Sequence, residues 1–398
     1  MTIKVSRLKQ NTHEGSGRVR RFSVPDTDIR VTQISTFCPD IIGPGPVHIY
    51  LIENGDALIL LDTGLPTGLA KAMFYTWRRA PIPPDLAALP DDLNEQQLVD
   101  GLRLAGYSIE DIRILILSHG HIDHFLMGRQ IARKAELRVM AHIMDTPEIC
   151  NPWGPLRGWL AKRQLLRGTG TPRPPIPIEN IVQKLDLESL GFALRVDIPI
   201  FEEGPLLANG SPVKDIEVKH LPGHSPGSIG LMLGKNGGKG VLLCGDVLLH
   251  PITPIPDNLL IYLRTLETLK AQTDIELALP AHGKAIWNVR GRVDFLKRHH
   301  KQRLRMTYRA CRKPASVWEI ATIRGYFHTE VKPSEFNPLA ASEALAHVEM
   351  LMMVDALSRN HIRQGVHYLQ NSGEPFEDVY GRIMNLVRDR ETSPIVKY

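Results

Sequence analysis

The run Ile112 to Leu117, apolar apart from Arg113, ends at once in Ser118-His119-Gly120-His121-Ile122-Asp123-His124. A short, nearly continuous apolar run suits a strand buried on both faces. The polar cluster therefore sits just past a strand's C-terminal end, the edge where layered α/β proteins build their sites. Alternate positions from His119 to Asp123 are His, His and Asp, with His124 next. If the loop leaves the strand extended, His119 and His121 point the same way, and Asp123 and His124 can open the following helix. One short segment can then feed two neighbouring metals.

Three further turns, each after an apolar run, carry the same residue types: His224 in LPGHSPGS, Asp246 in VLLCGDVLL and His282 in LPAHGK. An isolated histidine is more often a packed or surface residue than a ligand. Seven imidazoles and carboxylates at strand ends are a different matter, because converging loops can bring them to one place. Nitrogen and oxygen donors without thiolate suit zinc, and also manganese or iron, so divalent ions with zinc favoured are expected. Cys38, Cys150, Cys244 and Cys311 stand far apart with no CxxC pair. That spacing argues against a disulfide scaffold or a thiolate site and fits a reducing interior.

The rest of the chain supplies a frame. Val47 to Glu53 and Ala57 to Asp62 flank Asn54-Gly55, a hairpin signal. Leu93 to Ala105 has helical periodicity with Gly106 as its stop. Leu137 to His142, Ile216 to Leu221, Ser228 to Leu233 and Gly240 to Cys244 read as strands, and Leu259 to Gln272 as a helix before the short run ELALP. Asn151 to Ile178, rich in Trp, Pro and Arg, has no clear period and reads as an extended connection or lid over a substrate pocket. From Arg290 the character turns helical, in RVDFLKRHHKQRLRMTYRACR, SVWEIATIRGYF and NPLAASEALAHVEMLMMVDALSRNHI, so a domain boundary is expected close to Trp287. A chain of 398 residues is long for one domain.

In this order, LLDTG, HGHIDH, PGHSPGS, CGD and PAHG resemble the metallo-β-lactamase superfamily over about residues 29 to 288. The resemblance implies an α/β fold, an αββα sandwich, with a tail or first strand over 1–28, the hydrolase domain over 29–288 and a helical, winged-helix-like domain over 289–398. It implies that His119, His121 and His224 hold one metal, that Asp123, His124 and His282 hold a second, and that Asp246 bridges. Asp62 would lie beneath the site and orient a ligand imidazole. Two cations about 3.5–4 Å apart bring a bridging water to near-neutral pKa, giving a hydroxide nucleophile. Asp123, close to that water, would accept and return a proton as the catalytic base.

The superfamily includes thioesterases, lactonases, β-lactamases, nucleases, sulfatases and flavin-linked redox proteins, so the resemblance does not select a substrate. The Asp123-His124 pair departs from the β-lactamases that use a thiolate. A flavin-linked role is opposed by His121 and His124 and by the lack of a flavodoxin-like module.

Arg292 to Ile362 resembles the small winged-helix-like domain of proteins similar to β-lactamase-like protein 2 and of glyoxalase II-type proteins. In the animal relative that domain accompanies ribonuclease activity, and a basic helix can track phosphates. The favoured reading is plainer: Arg292, Lys297, Arg298, Lys301, Arg303 and Arg305 form a solvated face while Phe295, Leu296 and Leu304 pack inward. The 48 basic and 43 acidic residues leave a formal charge of +5, which permits an anionic small-molecule substrate without calling for nucleic acid.

The expected activity is hydrolysis of a small ester-like bond, thioester first and lactone second, with single-strand endoribonuclease activity as the alternative. The N-terminal MTIKVSRLKQNTHEGSGRVRRF is basic without an apolar signal core and reads as a solvated tail. No run approaches the roughly 18 apolar residues of a membrane span, so the expected location is the cytoplasm. Phe376 to Arg388 reads as a helix in a final segment that packs on the core or mediates self-association into a homodimer.

Overall fold

A computed structural model describes residues 5–7, 19–39, 45–55, 57–78, 82–151, 168–172, 193–208, 210–234, 237–334, 337–362 and 365–389. Eight strands form one sheet in chain order: β1 (Val5–Arg7), β2 (Val19–Ser23), β3 (Arg30–Thr36), β4 (Val47–Asn54), β5 (Ala57–Leu61), β6 (Ile114–Ile116), β7 (Arg138–His142) and β8 (Ile198–Ile200). Pairing is antiparallel as far as β5 and parallel from β5 to β8. The β4–β5 hairpin turns at Gly55, whose φ of +56° favours glycine.

A second sheet takes β9 (Gly204–Ala208), β10 (Ser211–His220), β11 (Ile229–Leu233), β12 (Gly240–Leu243) and β13 (Ile275–Leu279). It is antiparallel except for the parallel β12–β13 pair.

The two-residue period of the strands builds four layers. Along β4, β5 and β6, Ile52, Ile59 and Ile116 face Leu231, Leu243 and Leu279 of the second sheet. The intervening Leu51, Leu60 and Leu115 face the opposite way. There they meet α1 (Thr67–Arg78), α3 (Leu93–Ala105), α4 (Ile122–Phe125), α5 (Gly128–Lys134) and α6 (Thr146–Cys150), the short α2 (Pro84–Ala87) lying between the first two of these. Because both faces of β6 are covered, its residues are apolar throughout. Gly106 ends α3 at φ +94°, as its sequence position predicts.

The outer face of the second sheet is covered by α7 (Leu259–Ala271) and α8 (Val289–Ala310), followed by α9 (Val317–Ala321), α10 (Pro338–Met353) and α11 (Phe376–Arg388). One apolar cluster runs from Leu242 through Leu263, Leu296 and Trp318 to Leu351 and Ile383. The helical C-terminal region therefore shares its core with the second sheet. Truncating fully buried Leu296 to Ala costs about 2–5 kcal/mol on that basis. Among the described residues no helix is long and apolar enough to cross a membrane.

Several sequence expectations are corrected. The last part of AHVEMLMMVDALSRNHI is not helix: α10 stops at Met353, Asp355 turns at φ +54°, and β14 (Leu357–Ile362) pairs with β15 (Gly365–Gln370). SVWEIATIRGYF is helical only over Val317–Ala321. Phe295 is 44% exposed rather than packed inward, with the Arg292 guanidinium 4.6 Å from its ring centre.

Arg292 and Arg303 are buried, not solvated. Arg292 donates to the carbonyls of Leu249, Pro251 and Ile252, and Arg303 pairs with Glu343 at 3.6 Å. The end of the supposed tail is the strand β2, with Val19 and Phe22 buried. Of the lid-like stretch 151–178, only residue 151 and residues 168–172 fall within the described residues.

Candidate metal centre

Each ligand-bearing turn follows the C-terminal end of a strand: β6 for His119 to His124, β10 for His224, β12 for Asp246 and β13 for His282. The fold brings all seven side chains together. Their donor atoms form three groups, each with members within 4.8 Å of one another: His119, His121 and His224; His119, His124 and Asp246; Asp123, His124 and His282. His121 stands in extended conformation as the N-cap of α4, so Asp123 and His124 open that helix as expected. Gly223 lets the His224 turn approach α7, since a Cβ there would lie 2.4 Å from the Tyr262 Cα.

The imidazoles are held from behind. His124 Nδ1 donates to Asp62 Oδ2 at 3.0 Å, His224 Nδ1 to the Ile255 carbonyl at 3.0 Å, and His282 Nδ1 to the Gly45 and Pro46 carbonyls at 3.1 Å. His119 Nδ1 meets Ser118 Oγ at 3.0 Å, and that hydroxyl donates to Asp62 Oδ2 at 2.7 Å. Asp62 also accepts the Ser118 amide at 2.7 Å.

Among the described residues, the Nε2 atoms of His119, His124 and His282, with Asp246 Oδ1, are left buried and without a hydrogen-bond partner. A buried polar atom in that state costs about 1–3 kcal/mol. Four in one cluster fit a divalent cation as the missing partner. His121 Nδ1 and His224 Nε2 lie 3.0 Å apart, close to the roughly 3.3 Å between two donors on one tetrahedral zinc at bonds of about 2.0–2.1 Å. The donor chemistry suits such an ion as well.

Asp246 spans the cluster. Its Oδ2 lies 3.6 Å from His224 Nε2 and 3.7 Å from His124 Nε2, and its Oδ1 lies 3.8 Å from His282 Nε2. Asp123 Oδ2 is 3.3 Å from His282 Nε2.

Charge divides along the same lines. Burial and then the neighbouring imidazoles push His119 well below its usual range, and burial with His121 beside it brings His224 down to about 4. Both are neutral imidazoles at physiological pH, the form that binds metal. At the other end burial opposes the charged forms, but Asp123, Asp246 and Asp62 carry His124 well above its usual range. His282 is likewise raised against burial by Asp246 and Asp123. The same imidazoles hold Asp246 well down and Asp123 down, each against its own burial.

Sequence reasoning passed over His48 and Ser118. His48 accepts from Ser35 Oγ at 2.9 Å through Nδ1 and donates through Nε2 to the Gly283 carbonyl at 2.8 Å, fixing the turn that carries His282. Burial first of all lowers its pKa to about 4, so it serves here as a neutral link. Its place inside the alternating strand Val47–Asn54 reads as ordinary packing, and no spacing marks it.

The model of the Metallo-beta-lactamase superfamily matches residues 42–298, well over half the chain. This chain belongs to that superfamily. Its His and Asp donor cluster fits a divalent metal site of that superfamily.

An N-acyl homoserine lactonase from a Bacillus species is 31% identical over 128 residues, 29% of this chain and 48% of the relative. A second, from Agrobacterium fabrum, is 32% identical over 124 residues, 29% of this chain and 44% of the relative. The chain thus spans about half the length of these lactonases or less. The Beta-lactamase-like protein 2 homolog of Drosophila melanogaster is 22% identical over 288 residues, 69% of this chain and 73% of the relative.

Among solved structures, a metallo-beta-lactamase family protein from Thermus thermophilus superposes with TM-score 0.65 at 22% identity, over 86% of this chain and 98% of that one. A beta-lactamase domain protein from Burkholderia ambifaria gives 0.59 at 20% identity, over 85% and 91%. The metallo-β-lactamase fold is therefore shared over more than the matched superfamily segment.

Proposed function

We propose that this metallo-β-lactamase superfamily protein hydrolyses a small ester-like bond, a lactone or a thioester, with two divalent ions held by seven side chains. His119, His121 and His224 bind the first, Asp123, His124 and His282 the second, and Asp246 lies between them. Bound there, divalent ions, zinc first among them, supply an acidified water as nucleophile and polarise the scissile carbonyl. Asp123 is held in its carboxylate form, so it can take the nucleophile's proton and hand it to the leaving oxygen or sulfur. Asp62 fixes the His124 tautomer through Nδ1, which leaves Nε2 for the ion. The observation that carries the reading is the set of four buried donor atoms without partners, aimed into one space.

Lactones are placed beside thioesters because the lactonases match at 31–32% identity. The basic helix α8 gives little support to the RNA reading. Glu377 engages Lys301 and Arg305, Glu267 engages Lys297, and Arg292 and Arg303 are buried. We assign 289–398 to a winged-helix-like C-terminal domain whose described residues brace the site, since Arg292 grips the carbonyls of the segment following Asp246.

The test is incubation of zinc- and manganese-loaded protein with panels of acyl homoserine lactones, acyl thioesters and single-stranded RNA. Turnover of a lactone or thioester that is lost in Asp246→Ala is the expected result. Silence on both panels with RNA cleavage overturns the proposal.

A further inference from the structure

We infer that Asp145 is the positioning residue of the first metal group, a carboxylate that ties the His119–His121 turn to the His224 turn. The inference rests on the ligand roles proposed above. Asp145 lies just beyond β7, the neighbour of β6, and is buried. Its Oδ2 accepts the Gly120 amide at 2.9 Å and the Ser225 hydroxyl at 2.7 Å, and its Oδ1 accepts the Gly227 amide at 2.7 Å. Gly120 stands between His119 and His121, and Ser225 follows His224 directly. One side chain therefore reaches both turns that supply this group, one from each sheet.

The surrounding geometry is built for it. A Cβ on Gly227 would lie 2.6 Å from the Asp145 Cγ and Oδ1, and one on Gly120 would lie 3.3 Å from its Cβ, so glycine at both places admits the carboxylate. Ser225 Oγ is 2.8 Å from Ser228 Oγ, and Ser228 Oγ accepts the Ser225 amide at 3.1 Å, so the Ser228 proton points to Ser225 and the Ser225 proton to Asp145. Hydrogen bonds to a carboxylate are about twice as strong as neutral ones. Among the described residues the Asp62 carboxylate, by contrast, accepts from Ser118 and His124, both from the first sheet. Asp62 thus backs His124 directly and His119 through Ser118, whereas Asp145 joins the His119–His121 turn to the His224 turn across the two sheets.

Asp145→Asn keeps the shape but cannot accept at both ends, so its NH2 must face the Gly120 or the Gly227 amide. Zinc affinity is measured by competition with a chromophoric chelator, alongside the visible spectrum of the cobalt-substituted protein. His224→Ala identifies which binding step belongs to the first group. We expect Asp145→Asn to weaken that step by about 10–100-fold and leave the other unchanged, with Ser225→Ala giving a smaller loss at the same step. In metal-free protein, Asp145→Asn should also speed hydrogen exchange at the Gly120 and Gly227 amides selectively.

Wild-type affinity at both steps in Asp145→Asn, or equal weakening of both with a general loss of thermal stability, overturns the inference while leaving the ligand roles intact. Wild-type protein that takes up no ion overturns the ligand roles and the inference together. Should Asp145→Asn fail to fold, Ser225→Ala carries the same comparison.

Discussion

Asp62→Asn is the substitution whose outcome the geometry fixes most tightly. Asp62 is buried at φ +63°, a conformation that asparagine tolerates, so the backbone is kept and only the hydrogen-bonding changes. The carboxylate accepts three bonds: the Ser118 amide on Oδ1, and the Ser118 hydroxyl and His124 Nδ1 on Oδ2. An amide offers one acceptor. With its NH2 on the Oδ1 side, two N–H groups face each other in a dry site, which costs about 1–3 kcal/mol. With its NH2 on the Oδ2 side, His124 must accept at Nδ1 and carry its proton on Nε2, the atom that would bind the ion.

Either way the His124 group loses, and affinity at that step should fall about 10–100-fold, or about 1.4–2.7 kcal/mol. Chelator competition reads the affinity, and urea unfolding of the metal-free protein reads the stability loss of about 1–3 kcal/mol. Unchanged affinity at both steps, or a loss confined to the step that His224→Ala removes, would refute the reasoning.

Three other outcomes follow from the structure. Asp246→Ala should retain the native circular dichroism spectrum and lose more than the roughly 10–100-fold in metal affinity typical of an outer partner, with turnover falling below detection, because its carboxylate faces imidazoles of both groups. Glu343→Ala strands Arg303 and His299 in the C-terminal core and should cost about 3–5 kcal/mol in denaturant unfolding. Glu349 has its pKa raised to about 7 by burial and then by Asp257, so the folded state holds a proton that the unfolded state gives up near 4.5. Stability from this carboxyl therefore falls as pH rises from about 5 to 8, and Glu349→Gln should raise the pH 8 stability by about 1–3 kcal/mol, after allowance for partial exposure, with little change at pH 4, as read by thermal melts.

The ligand turns were legible because each combines a buried-strand signature with residue types that have no packing reason to be there. Leu93–Ala105 was legible to the residue, since periodicity and a glycine stop mark it, and a helix around Phe376–Arg388 was legible from its periodicity. Asp145 was invisible for the converse reason: ahead of Thr-Pro-Glu it reads as an ordinary helix start, and its three partners lie 25 to 82 residues away. Arg292 and Arg303 looked like surface charge because composition reports charge and not the carbonyls or the carboxylate that meet it. The β14 strand was absorbed into a helix because apolar residues continue across Val354, and only the turn at Asp355 separates the two periods.

His119, His121, Asp123 and His124 descend from one sheet, and His224, Asp246 and His282 from the other. On the ligand roles proposed above, the nascent polypeptide offers only incomplete sockets until position 282 has left the ribosome and the two layers have closed. An incomplete socket competes poorly for scarce ions, so loading comes last in the order of assembly. Tight ion uptake then serves as a certificate of correct closure, and a variant that misdocks the sheets declares itself by staying empty even where its secondary structure is intact.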